Sequence, residues 1–300
     1  MTNGPVYPPV YPPFYPVAPG DLPVAEFLAV NGVSLGSYCF MTSDVSGLLT
    51  VPAKRGDDVV VPGRHGAIRT PRKRYDVGEI VLPMWIVGCA PDGSIPSHGR
   101  MERDFFKRRD ELLQLFHAEQ VTLTFTRADD VTLSVEAEVV DVMDFTRRWA
   151  EPIAQVSVAL RLTDPFWVEN EDRSAIITSA TTTTPHQVSA FIGGTAPITD
   201  AVIRFIGPVS NPRLAIGERW VAYNGVIGSG RELVLECRHW HAHSGAGASW
   251  EPNRLQIYRE PGPEWFVLPP SPDPLPVVFT HTGGGVASVE IAGRRRFLSP

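Results

Sequence analysis

Three histidines, His239, His241 and His243, alternate along the stretch RHWHAHS and form this 300-residue chain's nearest approach to a metal site. On an extended strand such alternation puts all three imidazoles on one face. Spacing then limits them. At ~3.3 Å per residue the outer pair lies about 13 Å apart, whereas zinc holds its nitrogens at about 2.1 Å. At most two neighbours can share one ion, and a third ligand such as His281 has to come from another strand. The expectation is a solvated or interface histidine face with no structural metal. Other signatures of chemistry are scarce in the sequence: there is no Walker loop, no HExxH and no GxGxxG after a strand. No enzyme activity and no cofactor are expected. Cys39, Cys89 and Cys237 stand far apart without CxxC spacing, which argues against a disulfide framework or a cysteine zinc site and predicts three buried thiols.

A second constellation is Asn211-Pro212-Arg213. It resembles part of the HxNPR stretch with which galectin-type lectins grip galactose on a β-sandwich. Val209 stands where that pattern has histidine. Trp250, Glu251 and Arg254 resemble the lectins' Trp-Glu-Arg run, with compressed spacing. These five residues, Asn211, Arg213, Trp250, Glu251 and Arg254, are the weak glycan candidates. The simpler reading is that Asn-Pro opens a turn and that Arg213 lies on the surface.

Charge concentrates once. Residues 54–74 carry seven basic side chains, Lys54, Arg55, Arg64, Arg69, Arg72, Lys73 and Arg74, against two aspartates, and are broken by glycine and proline. They predict a long polar loop or open hairpin. Without interleaved aromatic platforms, and in a chain of net charge −6, the segment is expected to be solvated or mated to an acidic protein surface rather than bound to DNA.

The elements that must position these groups are short. With 29 prolines and 26 glycines, the composition predicts many turns and brief strands, and the length suits two domains. No apolar run reaches the 18 or so residues of a spanning helix, and no secretory leader pattern opens the sequence, so folding in a cytoplasm is expected. Residues 1–23 form a proline-rich arm around VYPPVYPPFYP. Polyproline II geometry, with three residues per turn, points Tyr7 one way, Tyr11 and Phe14 a second and Tyr15 a third. These four are the predicted partner-docking residues of an extended clasp onto a neighbouring subunit or another protein. The tetrapeptides also match the PPxY ligand of WW domains.

From residue 24 the pattern changes. AEFLAVNGVSLG reads as a strand and an Asn31-Gly32 turn, and IVLPMWIVG (80–88) as an apolar run. Met101 to Gln120 reads as a helix with Met101, Phe105, Phe106, Leu112, Leu113 and Phe116 on its packing face. VTLTFTR and VTLSVEAEVV alternate as a hairpin, and VSVALRL repeats the alternation before Asp164-Pro165-Phe166-Trp167. Residues 24–173 therefore predict a sheet-rich α+β domain. Residues 174–184, with the run TSATTTTP beginning at 178, read as a Thr-rich linker. Residues 185–300 read as all β, with strands at QVSAF, AVIRFIG, RWVAY, RELVLEC, RLQIY, WFVL, PVVFT and ASVEIAG in a sandwich pattern. The fold class is mainly β with one helix.

In order, VNGVSLG, VVVPGRHG, RDFFKRRDELLQLF with its following hairpin, VALRLTDPFWV and IRFIGPVSNPRL with the YNG turn resemble the distal tail proteins of long-tailed bacteriophages, in particular those of actinobacterial phages. That resemblance implies a homo-hexameric ring built by residues 24–173 and a galectin-like sandwich pointing outward. It implies docking to the tail tube protein on one side and to the tail-tip hub and other minor tail proteins on the other. It places the protein at the distal end of the virion tail, with the genome passing through the lumen. The basic segment, with the helix and the hairpin, is then the candidate ring or tube interface. The alternative reading is a virion protein that attaches to host cell-wall glycan through its sandwich.

Overall fold

Alternating apolar residues build the first sheet. The computed structural model describes residues 27–35, 40–42, 45–56, 58–60, 65, 67–68, 73–90, 94, 97–140, 144–147, 152–179, 184–239, 241–245, 251–252, 257–259, 266–283 and 285–300. In it, ten strands join with neighbours antiparallel. The main path runs Val33–Ser34, Phe27–Val30, Gln120–Thr126, Thr132–Val139, Ile153–Leu162, Gly78–Val87 and Phe40–Thr42. Val121, Leu123, Phe125, Leu133, Val135, Val156, Val158 and Leu160 all point to one side and are buried. Asn31 and Gly32 both take positive φ, as a two-residue hairpin turn requires, and join the first two strands.

The helix spans His98–Leu115, earlier at both ends than its periodicity predicts. Phe105, Leu112 and Phe116 enter the core under it. Phe106 and Leu113, expected on the same face, are exposed. Phe106 instead packs edge-on against Phe105 and lies under the Arg109 and Arg147 guanidinium groups. Close approach of helix and sheet depends on Gly88, where a Cβ would lie 2.1 Å from the Met101 carbonyl oxygen.

The second and third sheets face each other over one core. The second runs Arg173–Ser179, Ala287–Gly293, Val202–Ile206, Glu232–Glu236, His241–Gly245 and Glu251–Pro252. The third runs His186–Val188, Leu275–Thr282, Val209–Ile216, Arg219–Tyr223 and Ile257–Arg259, with Val226–Ile227 on its third strand. Ile203, Phe205, Leu233, Leu235, Val289 and Ile291 from one sheet meet Leu214, Ile216, Val221, Val277 and Phe279 from the other. Burying side chains of this size is worth about 2 kcal/mol each and is what holds a sandwich closed.

Three sequence readings change here. Residues 174–179 are not linker: with Arg173 they pair along Ala287–Gly293, because Ala175, Ile177 and Ser179 alternate inward. VSNPRLAI is a strand rather than a turn opening, with Pro212 buried inside it at a register shift. Of WFVL, the described residues Phe266, Val267 and Leu268 form no strand; they are buried, with Leu268 bridging to Ile198. The chain end also crosses back: Arg296–Phe297 pairs with Trp167–Glu169 of the first sheet, and Phe297 packs into the first core. Of the cysteines, Cys89 and Cys237 are buried and in no disulfide, while Cys39 lies outside the described residues.

Candidate functional site

Asn211 has a structural job. It adopts positive φ, 48°, where the strand register shifts, a conformation asparagine tolerates better than most residues. Its Oδ1 accepts the Gly225 N–H at 3.0 Å and its Nδ2 donates to Thr282 Oγ1 at 2.9 Å. Two residues on, the Arg213 guanidinium covers the Trp220 ring at 4.7 Å. A concavity of about 490 Å³ opens here, lined by Asn211, Arg213, Trp220, Asn224, Thr280 and Thr282. A sugar face needs a bare aromatic ring and polar groups to spare. Here the ring carries an arginine and the amide is engaged. Glu251 lies in the opposite sheet, so the structure does not bring it to Asn211 and Arg213, and Trp250 and Arg254 lie outside the described residues.

The basic segment is an open hairpin. Lys54–Arg55 pairs with Arg74–Tyr75, and Val59–Val60 with Ala67–Ile68. Lys54 Nζ sits 5.3 Å from the Tyr75 ring, whose edge meets Phe166. Lys73 Nζ bridges to Asp58 at 2.9 Å. Lys54 and Arg55 are exposed and Arg74 is half-buried; Arg64, Arg69 and Arg72 lie outside the described residues, as do Tyr7, Tyr11, Phe14 and Tyr15 of the arm. Just before the hairpin, Leu49 and Val51 are 69% and 52% exposed, so a cationic ladder stands beside uncovered apolar side chains. That mixture of apolar and cationic surface suits protein docking better than a solvated loop does.

Where the first sheet meets the sandwich, the structure assembles charges that sequence spacing does not show. Glu169, 3% exposed, receives forked hydrogen bonds from Arg173, both at 2.8 Å, and from Arg295, at 2.7 Å from its Nε and again from its Nη2. Burial pushes the Glu169 carboxyl up, but the two guanidinium groups outweigh it and hold the pKa at about 2. Next to it Arg296, also 3% exposed, donates two bonds to Asp200 and one to Asp164. Sequence reasoning missed this cluster because its members are 126 and 132 residues apart. The ENEDR and GRRRF runs were the available signal.

On the outer face of the second sheet, Glu236, His241 and His243 converge, each half-buried, with their candidate ligand atoms all within 4.8 Å of one another. The His239 ring lies tilted to that of His241, with centres 6.0 Å apart, and is not part of that group. His281 is elsewhere: it is buried, with Nε2 3.1 Å from the Ser179 carbonyl oxygen. The group that another strand brings beside His241 and His243 is Glu236 and not His281. RELVLECRHWHAH carries the signal, since a hairpin there sets Glu236 opposite His241.

The first sheet with its helix and the paired sheets of the sandwich define a mainly β fold with two cores, tied by a charged junction. That fold is similar to one solved for a phage protein. The crystal structure of "SPP1 Dit (gp 19.1) Protein, a Paradigm of Hub Adsorption Apparatus in Gram-positive Infecting Phages" overlaps at a TM-score of 0.57 and 15% identity, covering 90% of this chain and 99% of that one. The phage p2 baseplate in its activated conformation with Sr is also similar, at a TM-score of 0.40 and 6% identity over 90% of this chain and 98% of that one; at that score it carries no further weight. No family model matches the sequence. No curated protein matches it either.

Proposed function

We propose that this chain is a structural hub of a long-tailed phage tail, of the distal tail type and the actinobacterial-phage kind that its sequence resembles. The observation that carries the reading is likeness of fold, over 90% of this chain, to a phage hub protein, 99% of which is covered. Fold alone does not imply function, so the exposed basic hairpin with Leu49 and Val51 adds the second support: it is a surface fitted to assembly. In this reading six copies close a ring through the module built on the first sheet, and the sandwich, galectin-like in kind, points outward. The changeover falls near residue 172. The tail tube protein docks on one side, the tail-tip hub and other minor tail proteins on the other, and the genome passes through without specific contacts. The protein acts in the virion, at the distal end of the tail, after assembly in the host cytoplasm, and catalyses nothing. Arg213 stacked on Trp220 weighs against the glycan alternative. Cryo-EM of tails containing this protein tests the proposal. Six copies in a ring at the distal end are expected; one or three copies, or a position elsewhere in the virion, overturn it.

A further inference from the structure

We propose that Glu236, His241 and His243 form a binding site for a zinc-class divalent cation, an inference that does not depend on the tail reading. Register does what sequence spacing could not. Glu236 pairs directly with His241 and Val234 with His243, across adjacent antiparallel strands. Directly opposed residues share a face, and so do residues two apart on one strand. The intervening pair confirms which face: Leu235 opposite Ala242 is buried in the sandwich core at 0% and 1% exposure. Glu236, His241 and His243 therefore leave the sheet together on its outer side.

Their ligand atoms already lie within 4.8 Å of one another. Four-coordinate zinc with bonds of about 2.1 Å sets its ligand atoms about 3.4 Å apart, so closure needs a movement of at most about 1.4 Å, within reach of side-chain rotation. Two imidazoles and one carboxylate are a donor set that zinc takes, with the fourth position left to water. Calcium and magnesium prefer six or more oxygens and are disfavoured. Arg204, on the same face, is paired with Glu290 at 3.2 Å, which tempers its repulsion of a cation. Cys237 takes no part: it points into the core, and burial pushes its thiol up to about 12. A bound ion would staple the strand Glu232–Glu236 to His241–Gly245 across the turn and hold the sheet edge to which Glu251–Pro252 attaches.

The test uses the full chain, stripped with chelator and titrated with zinc chloride by calorimetry. One saturable site per chain is expected. Glu236→Gln, His241→Gln and His243→Gln should each weaken it at least tenfold, the loss that even an outer-shell change can bring. His239→Gln should leave it unchanged, and excess magnesium should not compete. All four positions face outward, so melting in chelator should match the parent, and zinc should slow amide exchange across residues 232–245 in the parent and in His239→Gln but in none of the three ligand variants. No saturable site in the parent, a loss below tenfold in any of the three ligand variants, or dependence on His239 would overturn the proposal.

Discussion

Glu169→Gln is the sharpest perturbation of the junction between the first sheet and the sandwich. The carboxylate is buried and clasped by two guanidinium forks, and its pKa falls from an ordinary 4.5 to about 2. At ~1.4 kcal/mol per pKa unit that depression is worth about 3 kcal/mol. A depressed acid contributes stability that is full above the unfolded value and is lost as pH falls through the folded one. The window is therefore pH 4.5 down to about 2. Glutamine keeps the shape and one acceptor but leaves two cations facing a neutral group, so the variant should lose about 3 kcal/mol at pH 7. The assay is hydrogen exchange across residues 166–170 and 295–298, where the Glu169 N–H donates to the Arg295 carbonyl at 2.9 Å. Exchange should speed by roughly 100-fold in the variant at pH 7, at about tenfold per 1.4 kcal/mol. In the parent, corrected for intrinsic rate, opening should grow between pH 5 and 2, and in Glu169→Gln that growth should vanish. A variant within threefold of the parent at pH 7, or a parent whose opening ignores pH, refutes the reasoning.

Gly88→Ala should destabilise the first core by about 2 kcal/mol or more in urea denaturation, because the new Cβ meets the Met101 carbonyl oxygen at 2.1 Å and the helix must lift. Asn211→Ala should cost about 1–2 kcal/mol by freeing the Gly225 N–H and straining a 48° φ, while Asn211→Gly recovers the backbone part alone. Deleting residues 1–20 should leave melting of both cores unchanged and impair incorporation into tails. Normal incorporation would remove the clasp role from Tyr7, Tyr11, Phe14 and Tyr15.

Local chemistry was legible where one element decides its own geometry. VTLTFTR and VTLSVEAEVV alternate, so they became the hairpin Gln120–Thr126 and Thr132–Val139. Asn31-Gly32 tolerates two positive φ values and became a turn. The helix was visible from its period, although Phe106 and Leu113 were misplaced because periodicity marks a stripe and not which edge of it the sheet covers. Residues 174–179 read as linker because threonine and serine look polar, yet their inward positions fit the sandwich edge. Composition and period determined a mainly β chain with one helix and a basic hairpin among the described residues. Tertiary structure alone decided that Arg295 and Arg296 return to Glu169, Asp164 and Asp200, that Arg213 covers Trp220, and that Glu236 meets two histidines. The reason is physical. Period and turn chemistry act over a few residues and are written in order along the chain, whereas pairing of charges and ligands depends on strand register and on contacts more than a hundred residues apart, which no local pattern encodes.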